Sequence, residues 1–541
     1  MNNSAWELEE RHTILELWTS AVTKAPDTVF VHFLDGDKQH TYAQFDQLTN
    51  RLAHGLLAAG VAQGDRIATL LDNHVDSVAL FIAASKVNAI YVPVNTANKG
   101  EFLRNPLANS GAKFLVAEDK YLGRVDAIRA SLPELVNIYV RGDTASTGTS
   151  VKGLVSLYSD NSAETNIRPQ PADIAGIIYT GGTTGPSKGC ALSQNYIANQ
   201  ALRTLGMCDP RPGEVNWTCL PLFHLNALVV TILYSVVSNT TAAISPRFSL
   251  SRFWSEIEKS GASVASILGS MIPLIANQAD SEAMHRCKGQ LRMARGAPFP
   301  SELQEIWHKR FGVEIVGAHV YGLTEVSFVS MLTYDEAVGA APGSSGKLND
   351  RDFEVMIVND DFKEMPTGET GEVVVRPRRP NVMFEGYWGR PQETLDVLTG
   401  MWFHTGDIGK FDEDDYFYFV DRKKDYLRRR GENISSYEME TVFNQHPDIH
   451  EVAVHAVPSE FTEDDVKVTI VKEAGAALTE HELAHWAIEN VPYYAVPRYI
   501  EFRDELPKNP VGRILKNQLR DDGCTQATWD MEQSDITYNK N

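Results

Sequence analysis

Cysteine is scarce in this chain. Five cysteines, Cys190, Cys208, Cys219, Cys287 and Cys524, are scattered over 541 residues, and no two form a Cys-x-x-Cys pair. That spacing excludes the usual zinc sites and disulfide frameworks, and predicts reduced thiols. Long apolar runs are missing too. The most apolar stretch, Leu225 to Val237, carries Asn226 and Thr231 and is too short to cross a bilayer, so it reads as buried core. The first ten residues are acidic and lack an apolar centre, which predicts no signal peptide. A chain that does not span a membrane and resides in the cytoplasm is therefore expected. Positive charge is in deficit: 50 Lys+Arg face 71 Asp+Glu, for a net charge of −21. Such a surface repels a phosphate backbone and argues against nucleic acid as a partner, while leaving room for a small nucleotide in a locally positive pocket. No internal repeat is visible.

The length exceeds what one hydrophobic core supports, so two or more domains are expected. Between about residues 40 and 330, helical periodicity alternates with short β-rich runs. Tyr42–Leu57 and Asp76–Lys86 read as helices. Arg66–Leu71, Ala89–Val94, Lys113–Ala117, Ile174–Tyr179 and Ala262–Ile267 read as strands. This alternation predicts mostly parallel sheets covered by helices. After about residue 340, glycine and proline punctuate short strands such as Phe353–Val358 and Glu372–Val375, which predicts a smaller β-rich subdomain. Beyond Asp425, strands at Val452–Val457 and Val466–Val471 and a helix near Thr479–Glu489 predict a small α+β domain. The polar residues from Asp521 onward read as a disordered tail.

The strongest local signal is Tyr179-Thr-Gly-Gly-Thr-Thr-Gly-Pro-Ser-Lys-Gly189. Gly181, Gly182 and Gly185 let the backbone curl so that its amides face one anion. Thr180, Thr183 and Thr184 add hydroxyls, and Lys188 adds a full positive charge. It is not a Walker A loop, because Lys188 is preceded by Ser187 and followed by Gly189. A plain surface turn has a similar composition, so the loop alone leaves both readings open.

Further motifs follow in order. They are Pro221-Leu-Phe-His224, Tyr321-Gly-Leu-Thr-Glu325, Gly371-Glu-Val-Val-Val-Arg376, Trp402-Phe-His-Thr-Gly-Asp407, Asp421-Arg-Lys-Lys-Asp425, Gly431-Glu-Asn433 and Leu506-Pro-Lys-Asn-Pro-Val-Gly-Arg513. Glu325 is a hard oxygen donor beside a hydroxyl, Thr324, which suits Mg²⁺ on nucleotide phosphates. Asp407 can accept hydrogen bonds from two ribose hydroxyls at once. The ordered set, from about residue 40 to 520, resembles the adenylate-forming superfamily of acyl-CoA synthetases, peptide-synthetase adenylation domains and firefly luciferase. Finer similarity, in Leu71-Asp-Asn73, Val92-Pro-Val-Asn95, Phe253-Trp254 and Phe417-Tyr-Phe-Val-Asp-Arg422, points to its crotonobetaine/carnitine–CoA ligase-like branch.

The resemblance implies a large N-terminal domain, residues 1–422, of two helix-covered sheets plus a β-rich part at about 340–422. A small mobile α+β domain, 425–520, would swing about a hinge at Lys424, ahead of a tail at 521–541. It implies ATP, Mg²⁺ and coenzyme A, with the loop and Lys188 on phosphate and Glu325 with Thr184 on the metal. Gly296-Ala297-Pro298, His319, Tyr321 and Gly322 would flank adenine, and Arg422 would donate to ribose or phosphate. Arg430 and Gly431 would meet coenzyme A. His224 would stand between the acid pocket and the pantetheine channel, and Trp217, Asn226, Leu268, Ala318 and Val320 would line the acid pocket. Relatives place a lysine after Gly512, but here Arg513 follows, so Arg513 or Lys516 is expected to serve adenylation.

Amino-acid-activating relatives carry an aspartate near the Pro221–His224 motif; Phe223 to Leu228 has none, so an acid without an α-amino group is expected. The small, apolar pocket candidates suggest an uncharged acyl body, carnitine-like, alicyclic, steroid side-chain or medium-chain. A ligase loading a carrier protein and a catalytically silent nucleotide-binding relative are the alternatives. A homodimer is compatible with the sequence.

Overall fold

The strand Arg66–Leu70 reads Arg-Ile-Ala-Thr-Leu, and four of its five residues, on both faces, are buried. A strand with buried side chains on both faces needs helices above and below, and parallel sheets provide that setting. The computed structural model describes residues 10–142, 151–180, 186–269, 271–297, 299, 301–317, 319–341, 343–422, 427–459, 463–508 and 514–538. Among them Arg66–Leu70 sits fourth in a seven-stranded sheet ordered Val151–Gly153, Asn137–Arg141, Phe114–Glu118, Arg66–Leu70, Ile90–Pro93, Ile174–Thr180 and Lys188–Ser193. Its pairings are parallel except the last, where Ile174–Thr180 and Lys188–Ser193 form an antiparallel pair around the glycine–threonine loop.

A second seven-stranded sheet runs Ile315–Val316, Met293–Arg295, Val264–Ser266, Val215–Thr218, Thr241–Ile244, Val29–Phe33 and Lys38–Thr41. It too is parallel but for one edge pair. Helices Tyr42–Ala58, Val75–Lys86 and Gln194–Cys208 pack with both sheets into one continuous core. The apolar stretch after Leu225 is buried as expected, but it begins as a π-helix, Asn226–Leu233, before helix Tyr234–Ser238. Such widened turns recur at functional sites.

The region after residue 340 is β-rich. Phe353–Val358, Gly371–Pro377, Trp402–Phe411, Leu398–Thr399 and Phe417–Arg422 form a five-stranded antiparallel sheet. Beyond it, hairpin Leu427–Arg429/Glu432–Ile434 precedes a four-stranded sheet of Ile449–Pro458, Asp464–Lys472, Tyr499–Phe502 and Trp529–Asp530. This last part has its own apolar core but also receives Phe102 from the large body. Lys99 Nζ donates to the carbonyl of Ile488 (2.8 Å), and the Tyr494 hydroxyl donates to Asn98 (3.1 Å).

The expectation of a disordered tail from Asp521 is corrected. Lys467 is completely buried, and its ammonium bonds to Glu501 (2.6 Å), the carbonyl of Gly523 (2.6 Å) and the hydroxyl of Thr528 (3.1 Å). A buried ammonium must be paired and hydrogen-bonded, and the segment after Asp521 supplies two of those three partners. Trp529–Asp530 then adds a strand, and Met531 is buried.

Candidate active site

The carboxyl ends of parallel strands are where such folds leave room for ligands. Here a cavity of about 3200 Å³ opens between the two large sheets, the β-rich part and the C-terminal region. Thr180 and Lys188, the residues flanking the glycine–threonine turn, both line it; Gly181, Gly182, Thr183, Thr184 and Gly185 lie outside the described residues. The Lys188 ammonium sits 4.9 Å from the centre of the Tyr387 ring and 3.2 Å from Glu393. The Tyr387 hydroxyl donates to Glu325 Oε1 (3.0 Å), and Thr180 Oγ1 approaches the same oxygen at 3.4 Å. Lysine, carboxylate, tyrosine and threonine thus make one polar cluster at the mouth of the loop.

Glu325 brings a carboxylate to the cavity, and no group of three His, Cys, Asp or Glu capable of holding a metal occurs among the described residues. A single carboxylate fits Mg²⁺, which keeps several waters and takes its other oxygens from substrate phosphates.

Across the cavity Tyr321 and Asp407 form a buried pair. The Tyr321 hydroxyl donates to Asp407 Oδ2 (2.8 Å), and Asp407 is only 3% exposed. The Tyr321 ring rests on Phe417 and is stacked with Phe419 at 6.3 Å. Strand pairing sets Asp407 opposite Arg422. Gly296 and Ala297 line the cavity, and Pro298 lies outside the described residues. Gly322 also lines it, but its lack of a side chain answers to the fold: a Cβ there would sit 2.0 Å from the carbonyl oxygen of Ser327 across a bulged hairpin. His319 does not line the cavity. Its backbone is left-handed (φ +36°) and its ring approaches the carbonyl of Ser344 at 3.3 Å. Burial depresses its pKa, so the ring is neutral.

Of the expected acid-pocket residues, His224, Asn226, Leu268 and Val320 line the cavity, and Ala318 lies outside the described residues. Trp217 does not line it. The indole is 1% exposed in the middle of a sheet and packs edge-on against Phe253 at 5.3 Å, so it is core. Beside the small and apolar candidates, two buried polar side chains, Arg295 and Gln200, line the same space.

The C-terminal region closes this face through the hairpin. Gly431 has φ +79°, and a Cβ there would meet Leu268 Cδ1 at 2.6 Å. Its amide points at Glu463 (3.2 Å to each oxygen). Glu432 reaches His224 Nε2 at 3.0 Å. Burial disfavours the imidazolium, but the adjacent Glu432 charge outweighs that and holds the His224 pKa above its ordinary value. Arg430 lines the cavity, and the Tyr493 ring lies beneath its guanidinium at 5.9 Å. Arg429 also lines the cavity but is buried and paired to Asp465 at 3.1 Å. Near the loop, Glu438 accepts the amide of Ser187 (2.7 Å). Burial pushes the Glu438 pKa up to about 7.

Lys516 is away from the cavity in this arrangement. Its ammonium bonds to Ser436 Oγ (2.8 Å) and Glu440 (2.7 Å), while Arg513 and Lys424 lie outside the described residues. Sequence reasoning missed Tyr387, Glu393, Glu432, Glu438 and Arg295. For Glu432 a signal existed, its place in the Gly431-Glu-Asn433 motif; the others stand in unremarkable local sequence.

A model for the AMP-binding enzyme family matches residues 18–388, and a model for the AMP-binding enzyme C-terminal domain matches residues 438–513. The chain is 29% identical over 523 residues to a long-chain-fatty-acid–CoA ligase of Mycobacterium tuberculosis, covering 96% of this chain and 98% of the relative. It is 28% identical over 490 residues to a crotonobetaine/carnitine–CoA ligase of Citrobacter koseri, covering 89% and 93%. Among solved structures, o-succinylbenzoate CoA synthetase of Bacillus subtilis, a double mutant bound with a product analogue, matches with a TM-score of 0.79 at 24% identity over 95% of this chain and 99% of that one. No described helix is long and apolar enough to cross a membrane.

Proposed function

Because this chain belongs to the AMP-binding enzyme family, we propose that it is an AMP-forming acid–thiol ligase that couples a carboxylic acid to coenzyme A. The observation that carries the reading is the convergence of Lys188, Glu325, Asp407, His224 and Gly431, far apart in sequence, on one cavity. In the first step the acid's carboxylate, already ionised at neutral pH, attacks the α-phosphorus of ATP. The phosphoanhydride bond breaks and pyrophosphate leaves, giving the acyl-adenylate. Lys188 and the loop before it answer the phosphate charge, and Asp407 holds the ribose beside Tyr321. Glu325 is the residue that would hold Mg²⁺, which when bound would supply positive charge to the phosphates.

In the second step the thiol of coenzyme A attacks the acyl carbon. The C–S bond forms, AMP leaves and the thiol proton is released. Gly431 lets the backbone approach the pantetheine arm, and Arg430 answers phosphate charge. The reading divides the chain into an adenylation part through residue 422 and a thiol-transfer part from about 425, turning at Lys424. Lys516 or Arg513 serves adenylation when that part swings over. The contacts of Glu432 with His224 and of Lys516 with Glu440 fit the thiol-transfer arrangement. The absence of an aspartate or glutamate within Phe223-His-Leu-Asn-Ala-Leu228 supports an acid without an α-amino group.

The test is pyrophosphate and AMP release over a panel of short, medium, aromatic, alicyclic and dicarboxylic acids, with and without coenzyme A. Acid-dependent pyrophosphate release, with AMP turnover raised by coenzyme A, is expected. Turnover indifferent to coenzyme A would point to another acceptor, and silence across the panel would reject the ligase.

A further inference from the structure

We propose that Arg295 makes this site selective for acids that carry a second anionic group, a dicarboxylate above all, at the end remote from the carboxylate that is activated. The inference rests on the ligase activity proposed above and names its substrate class.

Arg295 closes strand Met293–Arg295, opposite Ser266 in the parallel sheet, and leads into Gly296 and Ala297 on the cavity wall. It is 4% exposed and lines the cavity itself. Its guanidinium donates to Ser266 Oγ (2.7 Å) and contacts Cys208 Sγ (3.1 Å), while its Nε has no partner. The Tyr234 ring lies 5.3 Å from the guanidinium carbon, and the buried Tyr234 hydroxyl is also without a partner.

None of these neighbours supplies a negative charge. Burial pushes the Cys208 thiol and the Tyr234 phenol up, so both are neutral, even with Arg295 favouring their anions. Among the described residues no carboxylate forms an ion pair with Arg295. Three residues earlier the same strand region treats its cation differently: Arg292 is held by both oxygens of Glu214, at 2.6 and 2.9 Å. A buried cation without a counter-charge is unfavourable by several kcal/mol, and an incoming anion relieves that. Carboxylate matches the planar guanidinium fork better than any neutral group.

The surrounding wall sets the shape of the acid. Met207, Val230 and Phe328 are apolar, so the chain between the two carboxylates is hydrocarbon. Gln200, 6% exposed and on the same wall, has an unpartnered amide oxygen. An amide read either way round offers N–H or oxygen, so this group can add a donor to the remote carboxylate. A trimethylammonium tail would meet like charge instead.

The experiment compares kcat/KM in pyrophosphate release for α,ω-dicarboxylates and monocarboxylates of matched chain length, in the parent enzyme and in R295M, R295K and R295Q. The parent should prefer dicarboxylates by about 10- to 150-fold, the range that hydrogen bonds to a charged group contribute. R295M should reverse that order, mainly through KM, and R295K should keep part of it. ATP-induced thermal stabilisation checks that each variant is folded, and the parent's own preference needs no variant. A parent enzyme that favours monocarboxylates, or R295M that lowers both series equally, would overturn the role of Arg295 and leave acid activation standing. Absence of pyrophosphate release with every acid would remove the underlying activity as well.

Discussion

Replacing Gly431 by alanine should separate the two half-reactions. Gly431 has φ +79°, and a methyl group there would sit 2.6 Å from Leu268 Cδ1. Holding an L-residue in the left-handed region costs about 1–2 kcal/mol, and pushing Leu268 off its rotamer about 0.5–1.5 kcal/mol. The sum of roughly 1.5–3.5 kcal/mol corresponds to about 10- to 400-fold. That cost falls on the arrangement in which the hairpin lies against Leu268, which in the proposed cycle serves the thiol step. G431A should therefore keep acid-dependent ATP–pyrophosphate exchange near the parent level, while single-turnover transfer from the preformed acyl-adenylate to coenzyme A slows by about 10- to 400-fold. Equal losses in both half-reactions, or an undiminished thiol step, would refute the reasoning.

D407N keeps the shape of a buried side chain but removes the charge that accepts the Tyr321 hydroxyl. Hydrogen bonds to charged groups contribute about 1.5–3 kcal/mol, so KM for ATP should rise about 10- to 150-fold with little change in acid dependence; unchanged ATP saturation would count against the ribose role. Glu438 gives the docked arrangement a pH dependence. Burial raises its pKa to about 7, with Glu101 adding to the shift and the Ser187 amide and Arg390 opposing it. Once undocked and solvated it returns toward about 4.3. The docked form therefore holds the proton more tightly, so docking is favoured below about pH 5, weakens as pH rises to about 7, and is level above that. An interdomain distance probe between pH 5 and 8 should show this in the parent and not in E438Q, and a flat parent profile would contradict it. K516A and R513A, compared in acid-dependent ATP–pyrophosphate exchange, should show a loss in at least one; normal exchange in both would exclude these residues from adenylation.

The layered fold was legible because its elements keep a simple period. Phe353–Val358 was read at its observed bounds, and the helix beginning at Tyr42 was read to within a residue of its end. The cavity-lining positions Thr180, Lys188, Glu325 and Asp407 were legible because their chemistry is written locally. What escaped were contacts between distant positions: Tyr387 on Glu325, Glu432 on His224 and Glu438 on Ser187, separated by 62, 208 and 251 residues. Apart from the Gly431-Glu-Asn433 motif around Glu432, nothing local marks them, since each side chain acts through a partner that only the fold supplies. Trp217 misled for the opposite reason, as an aromatic near the pocket in sequence that the central strand turns into the core. The polar tail misled because composition does not reveal that buried Lys467 needs it. Arg295 hid in an ordinary strand, its meaning lying in the counter-charge that its surroundings lack.

The central claim is that the acid's own oxygen becomes bonded to the α-phosphorus of ATP. An acid labelled with oxygen-18 in the carboxylate that is activated, turned over with ATP and coenzyme A, tests this directly by mass spectrometry of the products. One labelled oxygen should appear in AMP and none in pyrophosphate. Label in inorganic phosphate or pyrophosphate, or formation of ADP in place of AMP, would contradict it.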